Sequence, residues 1–417
     1  MPRKKTAATV ARRVITYNVL SSHLCSPDYF TKCTPKALDP DSRFRKLLKR
    51  LDAEMADSDP QPIFCLQEVS RPWSGKLVAW FSTRGYTYVP SLYGRRFNGY
   101  MGVAVAVPAK DYKIVECHVE RISETKEWPL KPEDERLKNQ KPSKKKKQEG
   151  NSSVATDKDL EKKTCWEKWW GRLFSSGPAG TDEEGAKAHG DDPLDGKNEG
   201  KATFPPTTAT VQEINAREKR ELSYWWEARD RHNTMICLIL ESVGEEKTTF
   251  CIGNYHMPCA FWSPPQMTIH AALAGQFVAK CAKSVPYILA GDFNFSPAHP
   301  QYELMTKGKL AAGDPALPVP FAYDKTGWVP ELPSAFRSSY KAHHGKEPDC
   351  TNYAHIREGP TFIDTLDYVF ISDGIEVAGA RKIADRGLLN GPLPNKAEES
   401  DHVAVCVDLN ISSVARL

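Results

Sequence analysis

Tyr287-Ile288-Leu289-Ala290-Gly291-Asp292-Phe293-Asn294-Phe295-Ser296-Pro297 is a short apolar run that ends in two small residues and then offers an acid and an amide two positions apart. Strand side chains alternate with a period of two, so Asp292 and Asn294 are expected to point the same way from a strand end. That pair suits a metal or a phosphate. It also suits a β-turn, which favours Gly, Asp and Asn, and the tetrapeptide alone leaves both readings open.

Other apolar runs end on polar groups in the same manner. Val14–Tyr17 delivers Asn18, Ile63–Gln67 delivers Glu68, and Phe250–Tyr255 delivers His256. Further on, Thr365–Phe370 carries Asp367, and Ser400-Asp401-His402 opens a last strand, Val403–Val407. Charged groups at the edges of buried strands cost free energy unless they are paired or bind a metal. Six such endings in one chain point to a place where strand ends converge.

The ordered set Asn18, Gln67-Glu68, His256, Gly291-Asp292-Phe293-Asn294, Leu366-Asp367-Tyr368 and Ser400-Asp401-His402 resembles the endonuclease/exonuclease/phosphatase superfamily of Mg²⁺-dependent phosphoesterases. The likeness runs from about residue 12 to about 410 with one interruption. It implies an α+β fold of DNase I type, a four-layer α/β sandwich of two facing, mainly antiparallel β-sheets flanked by helices. The order of the runs agrees. Strands with helices between and around them, without strict βαβ alternation, suit two facing sheets covered by helices.

At 417 residues the chain is long enough for one large domain or two, and motifs spread over nearly all of it favour one catalytic domain, residues 12–410. Lys and Arg total 57 against 53 Asp and Glu, a net charge of +4 that permits a nucleic-acid partner without arguing for one. The 11 cysteines include no Cys-x-x-Cys pair, and Cys65, Cys237, Cys251 and Cys406 sit inside apolar runs. They read as small core residues of a reducing compartment, cytoplasmic or nuclear. No run approaches the eighteen or so apolar residues of a membrane span. Residues 6–13 carry Ala, Thr and Arg without an acid, so organellar targeting stays open.

Phe44, Leu47, Leu48, Leu51 and Met55 recur at helical spacing, predicting a helix over 42–57 with Ser42 as N-cap and Arg45, Lys46, Lys49 and Arg50 on its solvated face. A second helix is expected over 73–81, strands over 86–89 and 99–108, and a long helix over 264–283. Arg95, Arg96 and Asn98 form either an exposed turn or a phosphate contact. From about 125 to 221 the composition changes, with a lysine run at 144–147 and a Gly-, Asp- and Glu-rich stretch at 177–200. This reads as a largely disordered insertion within a surface loop, because it cannot bury enough apolar area to order itself. Its exception is 160–174, where Trp166, Trp169, Trp170, Leu173 and Phe174 share one helical face. Such a helix docks on the parent domain, on a protein partner or on a membrane surface. The lysine run reads as a solvated linker, with nuclear import or RNA tethering as alternatives.

The C-terminal part narrows the likeness. Ser334-Ala335-Phe336, Thr351-Asn352-Tyr353, Leu366-Asp367-Tyr368 and Leu393-Pro394-Asn395, ahead of Ser400-Asp401-His402, are similar to the deadenylase, nocturnin and angel branch. The segment after His256, Met257–Trp262, departs from that branch and leaves substrate choice open. The absence of a leucine-rich-repeat stretch argues against docking onto a deadenylase assembly through such repeats.

The chemistry the resemblance implies is hydrolysis of a phosphoester by metal-activated water. Glu68 would be the principal Mg²⁺ ligand, with Mn²⁺ as an alternative ion, and Asn18 would support it. Asp401 is placed near the metal, and Asp292 accepts the water's proton or binds a second ion. Asn294 orients the phosphate, His402 is held in one tautomer by Asp367, and His256 stabilises developing charge. The leading expectation is a Mg²⁺-dependent 3′–5′ exoribonuclease on single-stranded RNA, poly(A) in particular, with Phe336, Tyr353, Phe362 and Trp262 available for base stacking. The alternatives are a phosphatase on a nucleotide cofactor or a phosphoinositide, and a catalytically silent binding protein of the same fold.

Overall fold

In the computed structural model, two six-stranded sheets face one another. The described residues are 11–93, 100–128, 223–244, 247–320, 324 and 326–412. The first sheet contains β1 (Ala11–Asn18), β2 (Ile63–Ser70), β3 (Tyr86–Tyr93), β4 (Met101–Pro108), β13 (Ile375–Ala380) and β14 (Val405–Ile411), in the order β13-β14-β1-β2-β4-β3. The second contains β5 (Tyr112–Arg121), β6 (Thr234–Ser242), β7 (Thr249–His256), β8 (Tyr287–Asp292), β9 (Arg337–Ser338) and β12 (Asp367–Ile371), in the order β5-β6-β7-β8-β12-β9. A separate hairpin pairs β10 (Asn352–His355) with β11 (Thr361–Asp364).

Each large sheet has one parallel pair near its middle, β1 with β2 and β7 with β8, and antiparallel pairings elsewhere. The expected mainly antiparallel sandwich is therefore present. Alternation along the strands builds its layers. Val14, Ile63, Cys65, Ile252, Ile288, Ala290 and Val369 point into the gap between the sheets. Ile15, Tyr17, Phe64 and Leu66 point outward against helices Pro40–Ala56 and Arg71–Ser82. Tyr255, Leu289, Tyr368 and Phe370 point the other way, against helix Pro264–Ala282.

Several local expectations change. Helix Pro40–Ala56 is capped by Asp39, whose carboxylate accepts from the Ser42 N–H at 2.8 Å, because Pro40 fills the first turn and moves the cap upstream of Ser42. Arg50 and Lys46 are half-buried and bonded to the chain before Ser400, not free on a solvated face. The Arg50 guanidinium pairs with Glu398 and Glu399, and Lys46 Nζ donates to the Asn395 carbonyl at 2.7 Å. The core continues past the predicted break at 125, since Lys126 is buried with Nζ 2.8 Å from Asp324, among the rings of Trp128, Trp225 and Trp328. The rest of the expected insertion, including its 160–174 helix and lysine run, lies outside the described residues, as do Arg95, Arg96 and Asn98.

Candidate active site

Parity and parallel pairing together place the polar strand ends. Asn18 follows Val14 and Thr16 in step, His256 follows Ile252, Asp292 follows Ile288 and Ala290, and Asp367 precedes Val369 and Ile371 in step, so all four face the gap between the sheets. In a parallel pair both strands end at the same rim. His256 is in register with Asp292, and Asp292 with Asp367 on the next strand. Within the first sheet, which faces these strands, Asn18 is in register with Gln67. All these groups therefore meet at one rim of the sandwich.

Glu68 reaches that rim through a β-bulge. Leu66 pairs with Ala104 but Val69 pairs with Gly102, so Gln67 and Glu68 together oppose Val103. Glu68 takes a left-handed φ of 55°, a conformation that side-chain-bearing residues rarely adopt. Without the bulge it would share the outward face of Leu66. With it, Leu66 and Val69 both pack against the helices, and Glu68 turns toward Asn18. Gln67 meanwhile crosses the gap, donating to Asn254 Oδ1 at 2.8 Å and Thr16 Oγ1 at 2.9 Å and locking the sheets together beneath the site.

Asn18 Nδ2 donates to Asp292 Oδ2 at 2.9 Å and lies 3.2 Å from Glu68 Oε1, while the Ser21 N–H donates to Glu68 Oε2 at 3.1 Å. His256 Nε2 is 3.6 Å from Asp292 Oδ2 and 3.8 Å from Glu68 Oε1. His402 Nδ1 is 2.8 Å from Asp367 Oδ2, and its Nε2 is 3.7 Å from Asp292 Oδ2. Asn294 belongs to the turn after β8 and not to the strand. Its N–H donates to Asp292 Oδ1 at 2.9 Å, its φ is 53°, and its side-chain amide donates to the Met257 carbonyl at 2.8 Å. Asp401 is buried beside Asn352 and Ser400, each 3.4 Å from a carboxylate oxygen.

Burial pushes the Asp292 carboxyl up to about 6, against the pull of His402 and His256, with Asp367 pushing the same way as burial. Burial likewise raises Asp401. For His402, burial opposes the charged ring, but Asp367 and Asp292 outweigh it and hold the imidazole well above its ordinary range. Among the described residues, the ion pairs of Glu68, Asp292 and Asp367 are with the two histidines alone. Asp367 Oδ1 has no hydrogen-bond partner. Four close carboxylates with so little compensation fit a divalent cation, and the described residues contain a buried metal-competent group in Asp292, Asp367 and His402.

The shell behind these groups escaped sequence reasoning. Arg43 is fully buried over Trp73, and its Nη2 donates to the Val19 carbonyl at 2.8 Å and the Leu20 carbonyl at 2.5 Å. Its Nε donates to the Glu399 carbonyl at 2.5 Å, so one guanidinium ties the turn after Asn18 to the residue before Ser400-Asp401-His402. Ser400 Oγ completes the tie by donating to the Asn18 carbonyl at 2.7 Å. Gly291 is required where β8 meets β7, since a Cβ there would lie 1.8 Å from the Tyr255 carbonyl oxygen. Of the four aromatics proposed for stacking, Phe336 is excluded because it is buried against Phe370 and Tyr287. Phe362 pairs with Phe261 at 6.2 Å, and Phe261 with His299 at 5.7 Å.

The model of the Endonuclease/Exonuclease/phosphatase family matches residues 189–402, just over half of the chain. The chain belongs to that family. Endonuclease/exonuclease/phosphatase proteins are phosphoric ester hydrolases, and two kinds of relative stand near this one. The 2′,5′-phosphodiesterase 12 of Bos taurus is 24% identical over 187 residues, 41% of this chain and 28% of that protein. The CCR4-Not complex 3′-5′-exoribonuclease subunit Ccr4 of Coccidioides immitis is 27% identical over 135 residues, 32% of this chain and 17% of that protein. The matched chain thus spans less than a third of the length of either relative. Among solved structures, ANGEL2, a 2′,3′-cyclic phosphatase in complex with adenosine-2′,3′-vanadate, matches with a TM-score of 0.60 at 14% identity, covering 97% of this chain and 96% of that one. The human Nocturnin catalytic domain matches with a TM-score of 0.50 at 15% identity, covering 96% and 94%. At such identities the likeness shows the fold.

Proposed function

We propose that this chain is a Mg²⁺-dependent 3′–5′ exoribonuclease of deadenylase type. The observation that carries the reading is the meeting of Glu68, Asn18, Asp292, His256 and the Asp367–His402 pair at one rim of the two sheets. Glu68 would hold the ion, Mg²⁺ or Mn²⁺, with Asn18 steadying the Glu68 and Asp292 carboxylates through Nδ2 and Asp401 as a further carboxylate donor. A divalent cation bound there neutralises phosphate charge and eases deprotonation of water. Asp292, its carboxyl already raised, takes the proton of the attacking water. Asn294 keeps one amide hydrogen for the phosphate, His256 faces its developing charge through Nε2, and Asp367 orients His402 toward the phosphoryl oxygens.

Single-stranded RNA is favoured by the aromatic set Phe261, His299 and Phe362, the first two on the segments that follow His256 and Asp292 and the third on β11 ahead of Asp367. The relatives include an exoribonuclease, which supports the same choice. The free cysteines among the described residues suit a cytoplasmic or nuclear setting. A 5′-labelled RNA with an oligo(A) tail, incubated with Mg²⁺ or EDTA, tests the reading with Glu68→Ala as control. Stepwise shortening that needs both the metal and Glu68 supports it. Intact RNA, with cleavage only of 2′,5′-linked oligo(A), 2′,3′-cyclic phosphate ends or a phosphorylated dinucleotide, replaces it.

A further inference from the structure

The two histidines of the site are oriented by chemically different partners. His402 Nδ1 faces a carboxylate, Asp367 Oδ2, at 2.8 Å. A carboxylate only accepts, so that Nδ1 carries a proton. His256 Nδ1 instead faces the buried phenol of Tyr93, with Oη at 2.5 Å. A phenol is protonated at neutral pH and has one hydrogen to give.

Two arrangements satisfy that short contact. If His256 Nδ1 were protonated, it would donate to Tyr93, and the phenol hydrogen would then need a further acceptor. The described residues record His256 as the phenol's hydrogen-bond partner and give no second acceptor for it. If instead Tyr93 donates to a bare Nδ1, the phenol hydrogen is used and the ring proton sits on Nε2. That nitrogen faces Asp292 Oδ2 at 3.6 Å and Glu68 Oε1 at 3.8 Å, both acceptors. The backbone beneath is fixed as well, since Asn233 Nδ2 donates to the His256 carbonyl at 2.8 Å.

We infer that Tyr93 is a positioning residue that locks His256 in the neutral Nε2–H tautomer, making it a fixed hydrogen-bond donor to the phosphoryl group. The site then holds two imidazoles oriented in opposite ways through Nδ1. In His256 that nitrogen accepts from a phenol, and in His402 it donates to a carboxylate. This rests on the proposed phosphodiesterase reading for its use in catalysis, but the tautomer itself does not. No charge is added by Tyr93, so an anionic substrate meets a donor without a third carboxylate beside it.

The test is ¹⁵N NMR of histidine-labelled protein, with the His256 ring assigned by its loss in His256→Gln, alongside kinetics on whichever phosphodiester the protein cleaves. The expected wild-type spectrum shows a pyrrole-like Nε2 and a pyridine-like Nδ1 for His256. Tyr93→Phe should move both nitrogens toward averaged values and lower kcat about tenfold, the worth of one neutral hydrogen bond, with KM within about twofold. A pyrrole-like Nδ1 in the wild type, or an unchanged ring signature in Tyr93→Phe, overturns the inference. Should Tyr93→Phe fail to fold, the wild-type spectrum alone decides. If no phosphodiester is cleaved, the functional reading fails while the tautomer is still read from the spectrum.

Discussion

Asn18 donates to Asp292 at 2.9 Å from the opposite sheet, so the two halves of the sandwich are joined at the very groups proposed to do the chemistry. Asp292 nevertheless sits in a site crowded with acids. Its raised carboxyl means the ionised form is disfavoured in the folded state relative to an unfolded chain near 3.8. The associated stability is fully present below pH 3.8 and is lost as pH rises through about 6. Asp292→Asn should therefore abolish hydrolysis while stabilising the metal-free protein at pH 7 by on the order of 2–3 kcal/mol. Denaturant melts in EDTA should show the gain at pH 7 and little of it at pH 4.

Glu68 combines a metal-side carboxylate with a left-handed backbone. Glu68→Ala and Glu68→Gly should both remove the Mg²⁺-induced rise in melting temperature. Glycine adopts this φ without strain, so Glu68→Gly should be the more stable of the two by about 1 kcal/mol. The opposite order in thermal melts would mean that the bulge is not strained.

Arg43 satisfies the carbonyls of three buried residues, Val19, Leu20 and Glu399. Arg43→Lys keeps the charge but not the planar fork, and should cost about 1–3 kcal/mol in urea unfolding. Arg43→Met should cost more, with activity falling further than stability explains, because the turns after Asn18 and before Ser400 lose their common anchor.

His270 sets a pH limit away from the site. It is buried with Nδ1 3.0 Å from Tyr255 Oη and Nε2 2.9 Å from the Ala228 carbonyl, and burial pushes its pKa down to about 3. The unfolded chain takes up this proton near pH 6.5 and the folded chain does not, so stability falls as pH drops below about 6.5, by roughly 1.4 kcal/mol per unit. His270→Gln should flatten the acid slope by about one proton between pH 6.5 and 4, measured by chemical denaturation.

The strand ends were legible because parity and charge speak locally. Asp292, His256 and Asp367 each close or open an apolar run, and register then brings them together. The bulge had a trace in the sequence, since Leu66 and Val69 are both apolar but three apart, which breaks period two. Arg43 and Arg50 gave no such sign. Each looks like helix-surface charge until chain some 350 residues away supplies its partners, Glu399 above all. Tyr93 was equally silent, as a tyrosine at a strand end reads as packing until a ring nitrogen is found against its hydroxyl.

The pairing of β1 with β14, from Ala11 opposite Asn410 to Thr16 opposite Val405, also fixes when the enzyme becomes competent. β14 lies between β13 and β1, and Asp401 and His402 arrive just ahead of it. A chain emerging from the ribosome, N-terminus first, therefore presents Asn18 and Glu68 long before the histidine that completes the centre. A hydrolase of this topology is completed only when the strand that pairs with β1 has been made and docked, so its own folding order withholds the finished centre.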